Sequence, residues 1–299
     1  MATRLFNAYV IVHWNAASKP TSGADSVWIG VLKRDVRFRL AFEAHRPATR
    51  ADAEKLLTDT LRDRVKRRER ALIGFEFPLG LPRGLAAGLH LPGPAPWRAV
   101  WDQLAKMVKD KKNNSNNRFG VGSEVNRRLT GGPFPFWGCP ARDTLTTLKP
   151  KRERPHGPSD IPEFRHAEVS ASSANSVWKL YYSGSIGGQA ILGIPMVRRL
   201  KLAFGEAFAV WPFETGYRAL SEAHLAGVEV VAAEINPLMV KAQAQPAEVK
   251  EAAQVRALAE HLAKLDEAGT LGALFGPAKG EAADVVLDAE NEEGWILGA

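Results

Sequence analysis

Ala8-Tyr9-Val10-Ile11-Val12-His13-Trp14-Asn15 is a short, almost wholly apolar run that stops at a polar cluster. It is long enough for a buried strand and too short for a helix of its own. The turn-rich stretch Ala16–Gly23 follows. Two later runs end in the same way. Ala71–Glu76 continues through Phe77 into Pro78, and Val228–Glu234 continues through Ile235 into Asn236-Pro237. Strands that lie parallel and adjacent would bring His13, Glu76 and Glu234 to one edge of a sheet. Open α/β sheets bind ligands outside the carboxyl ends of their strands, so that edge is the expected site.

Outward from the first run, Ser26–Lys33 and Val36–Glu43 read as a hairpin turned at Arg34-Asp35. The second strand sets Val36, Phe38, Leu40 and Phe42 on one face, with Arg37 and Arg39 on the other. Thr49, with Asp52 three residues on, opens a helix as a variant capping box. Leu56, Leu57, Leu61 and Val65 form its apolar stripe. Lys66–Arg70 closes it with positive charge that suits the helix dipole. Short links make the first three strands an antiparallel meander. The helix then returns the chain parallel to a strand already placed, by a right-handed crossover.

From Pro78 to about Asn175 this rhythm breaks, and residues 78–176 read as an insertion or small subdomain covering the site. A helix at Pro96–Lys111 sets Trp97, Val100, Trp101, Leu104, Met107 and Val108 on one packing face. Asn113–Arg118 reads as a polar loop and Lys149–Arg154 as a solvated charge run. Regular structure resumes at Val177–Tyr182. The glycine-rich Ser183–Gln189 follows, then a helix disturbed by Pro195, a strand at Ala207–Trp211 and a helix at Thr215–Ala226. The strand Val228–Glu234, the long helix Ala247–Glu267 and a tail with a short helix complete the order.

The 299 residues allow one large domain or two ordinary ones, and the 45% hydrophobic content suits a real core. The single cysteine, Cys139, precludes an internal disulfide and sits between Gly138 and Pro140 in an expected turn. No run reaches transmembrane length and no signal peptide is read, so a cytoplasmic protein without a membrane partner is expected. The net charge of +7 permits nucleic acid, a nucleotide or another anionic partner, or is ordinary solubility charge.

Three meander strands, a helix, a strand, crossover helices, a strand and a final helix is the order of the ribonuclease H-like fold. The chain also resembles an uncharacterised bacterial family of predicted ribonuclease H-like nucleases, a domain of unknown function. The resemblance is carried by Val12–Ser18, Gly23–Trp28, Gly74–Pro82, Asn117–Phe119, Phe136–Pro140, Trp178–Leu180, Gly184–Gln189, Trp211–Glu214, Ala233–Pro237 and Lys250–Gln254, in order and across nearly the whole chain. It implies an α/β mixed sheet with flanking helices and a hydrolase or nuclease centre. In such a centre, acids on the first and fourth strands and the last helix hold two divalent metal ions, Mg2+ or Mn2+, against a phosphodiester. Glu76, Glu234 and Glu251 are the expected metal ligands and catalytic acids.

The family pattern ends the first strand in Asp-Trp-Ser, where this chain has His13-Trp14-Asn15, and it favours Asp where Glu76 and Glu251 stand. An imidazole offers one nitrogen and no negative charge, and favours zinc, copper or nickel over magnesium. Three readings follow: a catalytically dead centre, a single-metal centre, or compensation by Asp25. A non-catalytic pseudoenzyme that binds nucleic acid or protein is the alternative to a nuclease. Gly184, Ser185, Gly187 and Gly188 are separate candidates for a phosphate-cradling turn, with Lys179 and Arg198 as supporting cations. The turn matches neither the dinucleotide fingerprint nor a Walker A loop. A tight turn into a helix is its structural alternative.

Overall fold

The computed structural model describes residues 4–23, 26–35, 37, 39–171, 175–246 and 248–299. Asp25, Val36, Phe38 and Ala247, on which expectations above rest, lie outside them. One mixed sheet holds β1 Ala8–His13, β2 Trp28–Arg34, β3 Leu40–His45, β4 Ala71–Phe75, β5 Phe208–Val210 and β6 Val230–Glu234. Their order across the sheet is β3-β2-β1-β4-β6-β5. β1, β2 and β3 pair antiparallel, whereas β4 runs parallel to β1, and β6 runs parallel to β4 and β5. The three runs that end in His13, Glu76 and Glu234 are therefore adjacent parallel strands. They read as unbroken apolar runs because both faces of this part of the sheet are covered.

The helices are α1 Arg50–Lys66, α2 Leu85–Gly88, α3 Pro96–Met107, α4 Arg118–Thr130, α5 His166–Ala171, α6 Gly187–Phe204, α7 Lys250–Glu267 and α8 Ala283–Asp288. Thr49 caps α1 as expected, its hydroxyl accepting the Asp52 N–H at 3.1 Å. One sheet face packs Val10, Val12, Ile73 and Phe75 against Leu57 and Leu61 of α1, Trp97 and Trp101 of α3, and Ile191 and Ile194 of α6. The other packs Tyr9, Ile11, Leu72 and Val231 against Val255, Leu258 and Leu262 of α7. Residues 78–176 supply α2 to α5. The aromatic stripe of α3 lies in the same apolar cluster as β1 and β4, with Trp97 stacked 4.7 Å from Phe213.

Several local expectations are corrected. The hairpin turn is longer than Arg34-Asp35. The Asp35 carboxylate accepts the N–H groups of Arg37 and Arg39, and the Asp35 N–H donates to the Arg39 carbonyl, so β3 begins at Leu40. Val177–Tyr182, where regular structure was expected to resume, forms no regular element. It makes an isolated bridge to Trp137, with Trp137 N–H donating to Trp178 O and Leu180 N–H to Trp137 O, each at 2.9 Å. Thr215–Ala226 is not a helix. The Tyr217 N–H goes to the Glu290 carboxylate and the Leu220 N–H to the Gly272 carbonyl, leaving only a 3-10 turn at Ala223–Leu225. Tertiary acceptors have displaced the helical ladder there. α6 runs unbroken through the buried Pro195.

Candidate functional site at the carboxyl edge of the sheet

Register decides which strand-end groups share a face. Val12 pairs with Phe75, and Phe75 with Glu234, so these form one row across β1, β4 and β6. Side chains in a row share a face, and successive residues alternate. Val12 and Phe75 point towards α1, α3 and α6, and Glu234 points the same way. His13 and Glu76 stand one residue further on and point towards α7. Trp28 stands opposite His13, and Ile235 follows β6 on the same side. The three predicted residues meet at one edge of the sheet, but Glu234 is on the opposite face from the other two.

On the α7 face, His13 Nδ1 lies 2.7 Å from Glu76 Oε2, with the Glu76 side chain 5% exposed and the imidazole 29% exposed. A carboxylate only accepts, so an ionised Glu76 fixes the proton of the neutral imidazole on Nδ1. Glu76 Oε1 is buried without a hydrogen-bond partner, and so is Trp28 Nε1 in the same row. Such orphaned groups cost about 1–3 kcal/mol each and are characteristic of ligand-binding places. Glu251 opens α7, one turn before Val255, whose methyl groups lie over Gly30 in the row of Ile11. A helical turn rises about 5.4 Å and two strand residues about 6.7 Å, so Glu251 stands at the height of the His13–Glu76 row. Among the described residues, no group of three or more His, Cys, Asp or Glu side chains is arranged to hold a metal ion.

On the other face, Glu234 is held by Arg165, a residue that the sequence reading left unmarked. Arg165 is fully buried, and its Nη1 and Nη2 donate to the two oxygens of Glu234 at 2.8 and 2.7 Å. Its Nε donates to Glu168 at 2.9 Å, and its Nη1 also donates to the Glu293 carbonyl at 2.7 Å. The Arg165 N–H donates to Glu168 Oε2, a local i,i+3 pairing at the start of α5 that was the one sequence signal available. Burial pushes Glu234 above the usual carboxylate range, against the pull of Arg165, and the nearby Glu168 adds to the rise. Loss of solvation is the main cause of that direction, and the second carboxylate on the same guanidinium is a smaller one. For Arg165 burial opposes the charge, but Glu168 and Glu234 outweigh it and hold the group protonated. A cleft of about 150 Å³ opens over the edge, lined by Glu76, Phe77, Glu168, Glu234, Asn236 and Leu238 among others.

The Ser183–Gln189 segment turns into α6. Gly184 has φ +73°, the left-handed region that glycine tolerates. A methyl group at Gly187 would lie 2.0 Å from the Val177 carbonyl oxygen, so the helix start is packed tightly onto the 177–180 turn. The Gly187 N–H donates to the Lys179 carbonyl at 3.1 Å. Ser185 is half-buried, and its N–H donates to the Tyr182 carbonyl at 3.1 Å. The cations nominated to support this turn are engaged elsewhere: Lys179 Nζ donates to the Ser183 carbonyl and Arg198 pairs with Asp102. Asn113–Arg118 is less a solvated loop than a buried polar hub. The fully buried Asn114 accepts the Arg50 N–H at 2.8 Å and donates to the Lys19 carbonyl at 3.1 Å. Cys139 is buried, and burial pushes its thiol pKa up, as for a packed rather than a reactive cysteine.

The chain matches no protein-family model, no curated protein and no solved structure. Among the described residues no helix is long and apolar enough to cross a membrane.

Proposed function

We propose that this is a ribonuclease H-like protein that binds nucleic acid at the carboxyl edge of its sheet, with a centre altered away from two-metal hydrolysis. Support for the fold reading comes from the antiparallel meander, the parallel β4 and β6, and the final long helix α7 laid across β1 and β2. The observation that carries the functional reading is the pairing of the acids. Glu234 comes from the other face of the sheet and gives both oxygens to Arg165, while Glu76 gives one oxygen to His13. Two-cation centres need carboxylates that converge and bridge. The described residues do not fit that centre, because no three His, Cys, Asp or Glu side chains among them are grouped to hold a cation, and Glu76 and Glu251 are the acids on the side of His13.

A second reading rests on the His13–Glu76 contact itself. A buried carboxylate that orients a partly exposed imidazole is the arrangement of a general base, and it would serve hydrolysis without a pair of cations. Cleavage and binding assays on single- and double-stranded DNA, RNA and hybrids, with Mg2+ and Mn2+, separate the readings. Binding without cleavage is the expected result. Metal-dependent cleavage that disappears in Glu76→Gln would refute it. Metal-independent cleavage lost in both His13→Ala and Glu76→Gln would favour the second reading.

A further inference from the structure

Arg118 opens α4 and is 6% exposed, yet among the described residues it makes no ion pair. Its Nη1 donates to Ser18 Oγ at 3.0 Å and Asn116 Oδ1 at 2.9 Å, both neutral acceptors. Its Nε is buried with no acceptor, and among the described residues its Nη2 donates to none. The other buried arginines each hold carboxylates, Arg64 pairing with Asp63 and Glu69. Arg50 holds Asp110 through Nε and Nη2, each at 2.7 Å, and Arg165 holds two glutamates. The Phe119 ring lies 4.2 Å from the Arg118 guanidinium carbon and offsets part of the cost, but the face of a ring supplies neither a counter-charge nor the missing acceptor for Nε. Burial, with Arg50 nearby, pulls the Arg118 pKa down to about 10, so it still carries its charge at neutral pH.

The Nε–Nη2 edge left over on Arg118 is the fork that grips oxyanions with two parallel hydrogen bonds. It lies beside the N-terminus of α6. A methyl group on Gly188 would sit 3.2 Å from Arg118 Cδ. α6 has no side-chain cap, and Ala190 is the first residue whose N–H finds a carbonyl of its own helix, that of Ile186. The Gly188 and Gln189 N–H groups have no acceptor among the described residues. An 18-residue helix presents partial positive charge at that end. Gln189 Nε2 donates to the Trp14 carbonyl at 2.9 Å, which ties this corner to the end of β1 and to His13. The partly exposed Tyr181 lies edge-on to Phe119 at 6.1 Å.

We propose that Arg118 and the N-terminus of α6 form a phosphate-binding pocket, the guanidinium edge and the Gly188 and Gln189 amides holding the oxygens of one phosphoryl group. Where the phosphoryl group belongs to a nucleic-acid backbone, this deepens the function proposed above and rests on it. Where it belongs to a free phosphate or nucleotide, it stands alone.

The test compares full-length wild type with Arg118→Gln and Arg118→Lys, using Lys111→Gln/Lys112→Gln as an exposed-charge control. Calorimetric titration reads inorganic phosphate and a 5′-mononucleotide, and anisotropy reads a labelled single-stranded oligonucleotide. Arg118→Gln is expected to weaken binding at least about tenfold, as the loss of one charge-assisted bidentate contact, with Arg118→Lys intermediate and the lysine control changing much less. Binding of phosphate and mononucleotide that needs Arg118, without binding of the oligonucleotide, would support the pocket and overturn the nucleic-acid reading. A folded Arg118→Gln that binds every probe like wild type would overturn the pocket, as would a wild type that binds none. If Arg118→Gln fails to fold, Arg118→Lys carries the test, since it keeps the charge and loses the two-donor edge: phosphate binding equal to wild type would overturn the proposal, and weakened phosphate binding in a folded Arg118→Lys would support it.

Discussion

Removing Arg165 tests whether Glu234 belongs to the architecture or to the chemistry. In Arg165→Ala, Glu234 and Glu168, each 5% exposed, lose their shared cation, and the Glu293 carbonyl loses a donor. Breaking one buried ion pair costs about 3–5 kcal/mol. With two carboxylates stranded, the upper end, about 5 kcal/mol at pH 7, is expected. Glu234 limits the damage by taking a proton, at about 1.4 kcal/mol per unit of pKa rise. Burial already holds the Glu234 pKa above its ordinary 4.5, and loss of Arg165 pushes it further. The folded variant then binds more protons than the unfolded chain between pH 4.5 and the raised value, so its stability rises as pH falls through that window.

Urea unfolding at pH 7 and at about pH 5.5, for wild type, Arg165→Ala, Glu234→Gln and the double variant, reads this directly. Arg165→Ala should lose less at the lower pH, and Glu234→Gln in the same chain should restore about 1 kcal/mol or more through their coupling. A loss under about 1 kcal/mol, or one equal at both pH values, would refute the account of a buried, over-acidic cluster.

Three further outcomes are expected. Tyr9 donates to Asp266 at 2.6 Å, and burial raises its pKa far above 10.0, so the unfolded chain ionises first and stability falls as pH rises past 10. Tyr9→Phe should flatten that alkaline slope in pH-dependent urea unfolding. Gly187→Ala should cost about 3 kcal/mol or more in thermal unfolding, because its methyl would meet the Val177 carbonyl oxygen at 2.0 Å. Asn114 is buried with φ +67°, so Asn114→Ala should lose its bonds to Arg50 and Lys19 and also carry left-handed strain. Asn114→Gly should be milder by about 1 kcal/mol, and equal losses would argue against the strain.

The sheet was largely legible because its central strands are buried on both faces and so stand out as unbroken apolar runs. What the runs could not reveal was parity. Counting residues places Glu76 and Glu234 both at strand ends, but Glu234 pairs with Phe75 rather than with Glu76. That offset of one residue sends the two carboxylates to opposite faces. It is set by how β6 docks on β4, which no local pattern encodes. Arg165 was missed for a related reason. It lies in a Pro-rich stretch without periodicity, and its main partner is 69 residues away. Thr215–Ala226 failed through tertiary override, its amides being claimed by Glu290 and Gly272.

The parity result makes His13→Asp the informative variant and Glu234 irrelevant to it. The introduced carboxylate would stand in the row of Glu76 and at the height of Glu251, so the face towards α7 would regain the carboxylates that the wild type lacks, while Glu234 stays with Arg165 on the other face. Freed from the imidazole, Glu76 Oε2 would join the orphaned Oε1. The expected result is Mn2+-dependent stabilisation in His13→Asp but not in wild type, approaching about 2.7 kcal/mol at one hundred times the dissociation constant. Equal stabilisation of both would mean that the imidazole is no obstacle to a cation, and the altered-centre reading fails. Stabilisation of neither would remove the basis for relating this edge to metal-dependent phosphodiesterases. The corner beside the end of β1 would then be the better guide, where the buried Arg118 Nε has no acceptor. Under the pocket proposed above, that corner would hold a phosphoryl oxygen without any metal.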